Sequence, residues 1–425
     1  MPGDDGRQAL GVIDRDAARL ARGAITAGVA VRLLYGIVLH PPLDYVTSDM
    51  AGYVQRAQRL ARGGPIPRID LFMPVGTQLL ISVPMRIAGP GRAGLWLASV
   101  VWCALSCLFP WVAWRWASGV VSARAAAITA VACALSPLAI IYGGYFSSEL
   151  PAMVLLPSVL WLGRCAVGDQ RWGLRSAPIA GGLAVLLVVV RQQFVLNLVV
   201  LGLALVAARR GPRLLRPVVL AAAGAVLILA LVVVLAAPPW RVVGGLGPVT
   251  GENGGLNFFY GHCDAHLVTT PQLFFESPVR AQRGTGTDFR FKDRRPTDQG
   301  YFYRRGVSCI EHSPVRAAVL SLRTLGDMTA TSIPFPPWTE GGTVLSVAEV
   351  ANVLFALLLV WLVAAVTLNR RGVPWEVVAH LACGFIVAVA FLGEPRYRLP
   401  YDIFAWALLG WYVDRRLRDR GAASV

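Results

Sequence analysis

The fold class follows from an uncharged stretch, AGLWLASVVWCALSCLFPWVAW, which runs from Ala93 to Trp114. As a helix rising about 1.5 Å per residue, such a stretch crosses the roughly 30 Å hydrocarbon core of a membrane. The whole chain of 425 residues is similar, since 56% of it is hydrophobic, 15% is charged and its mean hydropathy is +0.57. Soluble proteins carry about 25% charged residues. The composition therefore excludes a soluble enzyme, a disordered chain and a fibrous repeat, and predicts an all-α polytopic membrane protein.

Other apolar segments bring the predicted number of transmembrane helices to about ten. Three of these segments are uncharged blocks as clear as the first, and the rest are shorter. The predicted spans are Gly23–Leu39, Ala93–Trp114, Ala125–Ser148, Leu150–Val167, Ser176–Val190, Gln192–Ala208, Pro217–Ala237, Val350–Asn369, Val377–Gly393 and Leu399–Val413.

The arginines orient these spans. Their clusters fall in alternate loops, so one inside/outside assignment satisfies the positive-inside rule and makes both termini cytoplasmic. The net charge of +16, from 40 Lys and Arg against 24 Asp and Glu, is explained by anchoring charge and anionic membrane lipids. We therefore expect no nucleic-acid partner. A composition rich in Arg, Ala, Val, Leu and Gly is typical of GC-rich bacterial genomes, which predicts the cytoplasmic (inner) membrane of a bacterium as the location.

Two long loops lie on the predicted outer side. The first contains an apolar segment, Leu71–Ile87, which holds Pro74, Pro84 and Arg86. Counting it as a span would invert every later loop, so we predict interfacial or re-entrant helices there. The second ends in an amphipathic helical pattern over Pro314–Ser332. The predicted parts are a cytoplasmic N-terminus (1–22), a transmembrane catalytic module (23–237) with its first outer loop at about 40–92, a large outer loop (238–342), C-terminal transmembrane helices (343–413) and a cytoplasmic tail (414–425).

Acidic residues stand just outside the membrane in the earlier outer loops. The sequence LDYVTSDMAGYVQRAQRLARG follows the first span and places Asp44 and Asp49 before a helical pattern that contains Arg56. Ser48 or Asp49 could cap that helix, although a capping carboxylate can also act as a base. Glu149 stands in YFSSELP, in a turn between two apolar spans, where a glutamate is costly without a partner or a role. Arg191 interrupts two apolar runs on the same side, either as a plain turn residue or to neutralise Glu149 or a phosphate.

The sequence GEPRYRLP places Arg396, Tyr397 and Arg398 at the outer start of the last span, against the positive-inside bias. The two arginines therefore need a local reason. Phosphate is one, because guanidinium groups match its oxygens and act strongly near low dielectric. Pairing of Arg396 with Glu394 is the alternative.

The second outer loop contains two further pairs of candidates. It opens with TGENGGLNFFYGHCDAH, where Asn257 and Tyr260 are of the amide and aromatic types that commonly grip sugar rings, although a surface turn with a packed aromatic explains them equally well. Cys263 and Cys309 are the two cysteines of the outer regions, so an oxidising compartment favours a disulfide, with unpaired thiols as the alternative. No Cys/His spacing resembles a zinc site.

Taken in order, these motifs resemble the C-type (GT-C) membrane glycosyltransferases, particularly the branch of protein O-mannosyltransferases and lipid A aminoarabinose transferases. The resemblance spans nearly the whole chain and depends on the order and sidedness of motifs that are each weak alone. The matching pieces are TSDMAGYVQRAQRL (47–60), LSPLAIIYGGYFSSELP (135–151), VVVRQQFVLNL (188–198), NGGLNFFYG (253–261) and PRYRLP (395–400).

The resemblance implies an inverting transfer of a sugar from a polyprenyl-phosphate donor to a hydroxyl of a glycan, lipid or protein acceptor at the outer face. Asp49 matches the family's first-loop acid, a general base or acceptor-positioning group, and Glu149 matches the acid of the next outer loop. Arg396, with Arg398 beside it, matches the arginine near the donor phosphate. Met50 replaces the second acid common after Asp49, which leaves the base open between Asp49 and Asp44. The chain also lacks a sizeable soluble domain after the last span, which leaves the acceptor undefined.

We expect no cofactor and no metal site. Because some members of the superfamily use a divalent metal, the alternative is Mg²⁺ or Mn²⁺ held by Asp44, Asp49 and Glu149. The rival functions are a transporter or flippase for a lipid-linked sugar and an O-antigen ligase-like enzyme. A transporter predicts charged groups at mid-membrane. The candidates for such groups are Arg32, His380 and Asp402, and all three lie in the outer or inner portions of the predicted spans.

Overall fold

The structure of the protein is a computed structural model that describes residues 4–64, 73–168, 173–208, 215–242, 253–263, 265–267, 280–283, 288–290, 298–331 and 336–423. The helices are α1 (Asp4–Leu33), α2 (Ser48–Ala61), α3 (Val75–Ala88), α4 (Arg92–Ala117), α5 (Ala123–Leu135), α6 (Pro137–Ile141), α7 (Glu149–Gly168), α8 (Gly173–Val190), α9 (Val195–Ala208), α10 (Leu215–Val242), α11 (Gly254–His262), α12 (Gln299–His312), α13 (Pro314–Gly326), α14 (Gly342–Leu368), α15 (Trp375–Ala390), α16 (Pro395–Arg398) and α17 (Asp402–Ala423). The strands are β1 (Ala265–Leu267), β2 (Arg280–Arg283) and β3 (Asp288–Arg290).

Within the described residues, five helices are long and apolar enough to cross a membrane, and one bent pair adds a sixth if it forms a single span. The five helices are Arg15–Asp44, Arg92–Ala117, Glu149–Gly168, Leu215–Val233 and Gly342–Leu368. The other predicted spans coincide with α8, α9, α15 and α17, which do not pass the same test of length and hydropathy. The predicted fold class, an all-α polytopic membrane protein, is confirmed. The number of ten spans stays a prediction.

The predicted span Ala125–Ser148 is broken in the structure. Helix α5 and the helical segment Pro137–Gly144 meet at an angle of 51°. Because Pro137 has no N–H, the carbonyl of Cys133 lacks its helical donor. Arg32, buried on α1, donates to the carbonyl oxygens of Cys133 at 2.8 Å and Ala134 at 2.5 Å. The buried charge of Arg32 is therefore explained by the broken end of α5.

Replacement of Arg32 by Met is expected to destabilise the fold, since each buried carbonyl left without a donor costs about 1–3 kcal/mol. The melting temperature of the detergent-solubilised protein measures the effect. Arg22→Met is the matched control, because Arg22 lies exposed on the same helix. An equal fall in melting temperature in both variants would show that the hydrogen bonds from Arg32 to the carbonyls at the break do not stabilise the fold.

Helix α3 is more enclosed than the sequence predicts. The prediction for Leu71–Ile87 was an interfacial or re-entrant helix on the outer surface, and residues 65–72 lie outside the described residues. From Val75 onward, α3 packs against α2, α4 and α8. A Cβ on Gly76 would stand 2.6 Å from the backbone nitrogen of Val190, so α3 and the end of α8 are in direct contact. Protein thus covers much of α3, and the α2–α3 pair is held firmly beside the spans.

The segment predicted to be the second outer loop contains a small antiparallel sheet, which is an addition to the all-α prediction. The strand order is β1–β2–β3, with Ala265 opposite Arg283 and Arg280 opposite Arg290. A disulfide joins Cys263, at the end of α11, to Cys309 on α12, with their Cα atoms 5.4 Å apart. Strands this short have no clear alternation of polar and apolar residues, which is why the sequence did not reveal them.

Helix α13 is amphipathic. Val315, Val319 and Leu322 are exposed along one face, at the spacing that the sequence analysis identified. Thr324 lies on the opposite, buried face, and its hydroxyl donates to the carbonyl oxygen of Ala388 on α15 at 2.8 Å. The exposed apolar face has the character of an interfacial helix.

Candidate active site

Four chain segments that are distant in sequence meet at one end of the helices. They are the first turns of α2 and α7, the break between α8 and α9, and the short helix α16. Each contributes one or two charged side chains, since Asp49 stands in the first turn of α2 and Glu149 is the first residue of α7. Helix N-termini favour carboxylates through the helix dipole. We call Asp49, Glu149, Arg191, Glu394 and Arg396 the outer cluster.

The backbone entering α2 is strained beside Asp49. Ser48 has a φ of +48°, the only non-glycine residue in the described ranges with a positive φ. Side chains disfavour this region, and such strain persists only where the surroundings enforce it, often at functional sites. The strain therefore marks the start of α2 as a candidate functional position.

Arg396 joins the three carboxylates of the outer cluster. Its Nη1 donates to Asp49 Oδ2 at 2.8 Å and its Nε to Glu394 Oε2 at 2.5 Å. The same Nε lies 4.0 Å from Glu149 Oε1. Pairing with Glu394, the alternative to phosphate binding in the sequence analysis, is thus present together with the contact to Asp49.

Arg191 forms the other positive side of the outer cluster. Its Nη2 pairs with Glu149 Oε1, and its Nε donates to the hydroxyl of Ser148 at 2.9 Å. The ring of Tyr397 lies between the arginines, with the guanidinium carbon of Arg191 4.8 Å and that of Arg396 5.0 Å from its centroid. Such distances are typical of cation–π contacts.

Two phenols border the carboxylates. Burial raises the pKa of Tyr397 to about 12, and burial together with the charges of Asp49 and Glu149 raises the pKa of Tyr53. Burial acts to lower the pKa of Arg396, but Glu394 and its other anionic neighbours raise it well above the ordinary value. Both tyrosines therefore stay protonated at neutral pH, which leaves the carboxylates as the candidate bases.

Accessibility separates two of the three carboxylates that the sequence proposes as catalytic, Asp49 and Glu149. The side chain of Asp49 is 28% exposed, whereas that of Glu149 is 2% exposed and is held by Arg191. An acceptor hydroxyl can therefore reach Asp49 far more readily. Glu149 is placed to orient the arginines.

Asp44 lies apart from the outer cluster. It ends the 3₁₀ turn Pro42–Asp44 and is exposed. A cavity of about 510 Å³ is lined by Asp44 with Arg92, Trp96 and their neighbours, and by no member of the outer cluster. The choice of base that the sequence left open therefore favours Asp49 on geometric grounds.

Arg398 is buried away from the outer cluster. Its Nε donates to Asp402 Oδ1 at 2.9 Å and its Nη1 to the Thr329 carbonyl oxygen at 2.6 Å, while its guanidinium lies 4.2 Å from the ring centroid of Phe355. These contacts fasten α16 to the π-helical turn Asp327–Thr331 after α13. We therefore leave Arg398 out of the proposed substrate-binding set, since its Nε and Nη1 donate to groups of the fold and its side chain is buried.

The other candidate residues from the sequence lie on α2 and α11. Arg56 is buried on α2 and folds back against Gly52. Asn257 and Tyr260 lie on α11, where Tyr260 packs against a hydrophobic cluster formed by Leu256, Phe259 and Phe302. Met73 touches this hydrophobic cluster and accepts a hydrogen bond from Tyr53 at 3.8 Å, which connects α11 to α2.

The described residues do not fit the metal site that the sequence analysis kept as an alternative. Among them, no group of three or more His, Cys, Asp or Glu side chains could hold a metal ion. Asp44 lines a different surface, and the guanidinium of Arg396 stands between the carboxylates of Asp49 and Glu149. A divalent cation would have to displace that guanidinium.

No family model and no curated protein sequence matches the chain. Its structure is similar to the crystal structure of the Archaeoglobus fulgidus oligosaccharyltransferase in the apo form, with a TM-score of 0.52 and 14% sequence identity, over 94% of this chain and 51% of that one. The chain has the GT-C fold. It spans about half the length of that oligosaccharyltransferase.

A second solved structure is ArnT from Cupriavidus metallidurans bound to undecaprenyl phosphate. The identity is 19% over 94% of this chain and 77% of that one, with a TM-score of 0.38.

The GT-C fold agrees with the resemblance found in the motifs. Two residues of the site carry weaker sequence signals. The sequence identifies Glu394 only as an internal partner of Arg396. Ser148, which accepts a hydrogen bond from Arg191, has no signal beyond its position directly before Glu149.

Proposed function

We propose that this GT-C protein is an inverting glycosyltransferase that moves a sugar from a polyprenyl-phosphate donor to an acceptor hydroxyl at the outer face of the bacterial cytoplasmic membrane. The observation that carries the proposal is Arg396, which holds an accessible carboxylate, Asp49, next to a second arginine, Arg191. A base and a phosphate-binding pair are the two parts that this reaction needs. The acceptor is a glycan, a lipid or a protein.

The chemistry is a single displacement. The acceptor oxygen attacks the anomeric carbon of the donor while its proton passes to Asp49. The bond between that carbon and the phosphate oxygen breaks, and polyprenyl phosphate leaves with the electron pair. The leaving group needs positive charge instead of a proton, and Arg396 with Arg191 supplies it. Attack from the side opposite the phosphate inverts the anomeric configuration.

The charges of the outer cluster suggest how donor and base are coupled. Three carboxylates face two guanidinium groups, so the outer cluster has a formal charge of −1. A donor phosphate adds another negative charge and competes with Asp49 for Arg396. Donor binding would then release Asp49 from its ion pair with Arg396 as the acceptor arrives. Glu149 is buried and would stay paired with Arg191.

The residues that a transporter would need are engaged in the fold. Arg32 donates hydrogen bonds to the carbonyl oxygens at the broken helix, and Asp402 pairs with Arg398. His380 is buried, and its Nδ1 lies 3.2 Å from the side-chain amide nitrogen of Asn197. No observation favours a flippase or a ligase over the proposed glycosyltransferase.

The test is a transfer assay with a panel of labelled polyprenyl-phosphate sugars. Each donor is added to bacterial membranes that contain or lack the protein, so that native acceptors are present. We expect one donor to yield labelled product only when the protein is present, with the anomeric configuration inverted relative to the donor. Retained configuration, or movement of the intact donor across the membrane without transfer, would contradict the proposal.

A further inference from the structure

A second polar cluster, separate from the outer cluster, is centred on Glu340. This residue lies between the 3₁₀ turn Pro337–Thr339 and the first residue of α14. The Nε2 atom of His40 lies 2.9 Å from each oxygen of its carboxylate, and the hydroxyl of Tyr145 donates to Oε1. His40 is buried, so the carboxylate is held by two donors largely shielded from water. Hydrogen bonds to an ionised acceptor are stronger than those between neutral groups.

The partners of Glu340 lie on the two segments that lead to the catalytic candidates. His40 precedes the 3₁₀ turn Pro42–Asp44, which leads to α2 and Asp49, and its imidazole stacks on Tyr45 with ring centroids 3.5 Å apart. Tyr145 stands four residues before Glu149 in the next outer loop. One carboxylate therefore connects both approaches to the outer cluster.

Two more contacts strengthen this connection. The hydroxyl oxygens of Thr47 and Thr339 lie 3.4 Å apart, so the residue before Glu340 touches the chain two positions before Asp49. A Cβ on Gly144 would stand 2.5 Å from His40 Nδ1, so the two loops are in close contact beside Glu340. These segments have little room to shift independently.

We propose that Glu340 is a positioning residue, which ties together the loops of Asp49 and Glu149 so that Arg396 can bridge their carboxylates. This inference rests on the proposed function. Glu340 contributes none of the hydrogen bonds of the outer cluster, and it acts through His40 and Tyr145. A misplacement of about 1 Å at a reacting group can cost about 10²-fold in rate.

The kinetic test compares Glu340→Ala and Glu340→Gln with the wild type. We expect Glu340→Ala to lower kcat by about 10²-fold with little change in the donor KM, because Arg191 and Arg396 remain. Glu340→Gln keeps one carbonyl acceptor and should recover part of the rate. Glu349→Gln is the matched control, since Glu349 is exposed on α14 and should leave kcat unchanged.

A double substitution separates positioning from general damage. If Glu340 acts through the position of Asp49, then Glu340→Ala should cost much less in an Asp49→Asn background than in the wild type, because residues that act as a unit are not additive. Equal losses in both backgrounds, or an unchanged kcat in Glu340→Ala, would overturn the proposal.

A distance measurement tests the connection without any transfer. Spin labels carried by unnatural amino acids at exposed positions 55 on α2 and 346 on α14 report the separation of these helices by pulsed electron paramagnetic resonance. We expect a narrow distribution in the wild type and in Glu349→Gln, and a shifted or broader one in Glu340→Ala. An unchanged distance distribution in Glu340→Ala would contradict the proposal that Glu340 holds these segments together. Absence of transfer by the wild type with every donor would contradict the proposed function and leave this measurement valid.

Discussion

Replacement of Asp49 by Asn is expected to lower sugar transfer by about 10²–10⁴-fold, the usual contribution of a general base. Asparagine has nearly the same shape and can still accept a hydrogen bond from Arg396 Nη1, which Asp49 accepts at 2.8 Å. The substitution thus removes the proton acceptor with little change in the packing around it. The initial rate of label transfer at equal protein level measures the effect, and the melting temperature should change little.

Asp44→Asn is the control for this experiment, because Asp44 is the other carboxylate that the sequence allows as base. It lines a separate cavity with Arg92 and Trp96, so we expect its variant to transfer sugar at nearly the wild-type rate. If Asp44→Asn were the inactive variant and Asp49→Asn the active one, the base assignment would be reversed. If both variants transferred sugar at the wild-type rate, Glu149 would be the remaining candidate for the base.

The sequence predicts those parts of the fold that depend on composition. Uncharged runs such as Ala93–Trp114 locate spans because hydrocarbon excludes charge, and Cys263 with Cys309 are singled out because an oxidising compartment favours disulfides. The break before Pro137 was missed, although proline is a signal for it. Its angle depends on how Arg32 serves the freed carbonyls, which hydropathy does not report.

The candidate site was predictable as a set of residue types but not as an arrangement. Arg396 and Arg398 are equivalent in the sequence, yet two residues on a helix point about 200° apart. Arg396 reaches the outer cluster, whereas Arg398 faces Asp402 and Phe355. The choice between them is made by packing against the π-helical turn Asp327–Thr331 and Phe355 of α14, which no local pattern encodes.

The contact between His40 and Glu340 illustrates the same limit. The two residues are 300 positions apart. Each alone is an ordinary polar residue near a predicted span boundary. A pairing over this separation depends on how the whole set of helices packs, so it requires the structure.

Replacement of Arg396 by Lys is expected to lower transfer by about 10²–10³-fold, the cost of removing one donor to the developing charge of a transition state. Lysine keeps the positive charge but has a single ammonium group instead of a planar fork. It cannot contact Asp49, Glu394 and Tyr397 in the way that Arg396 does through three nitrogens. Arg304→Lys is the matched control, since Arg304 is exposed on α12.

Inhibition by free polyprenyl phosphate shows whether Arg396 binds the phosphate or only positions Asp49. If it binds phosphate, the inhibition constant should rise in Arg396→Lys and stay unchanged in Asp49→Asn. If donor phosphate competes with Asp49 for Arg396, Asp49→Asn should even bind the inhibitor slightly more tightly, because the competing carboxylate charge is gone. An inhibition constant that is the same in the wild type and in Arg396→Lys would remove Arg396 from the donor site and leave Arg191 as the phosphate ligand, since Arg191 already faces the same ring of Tyr397.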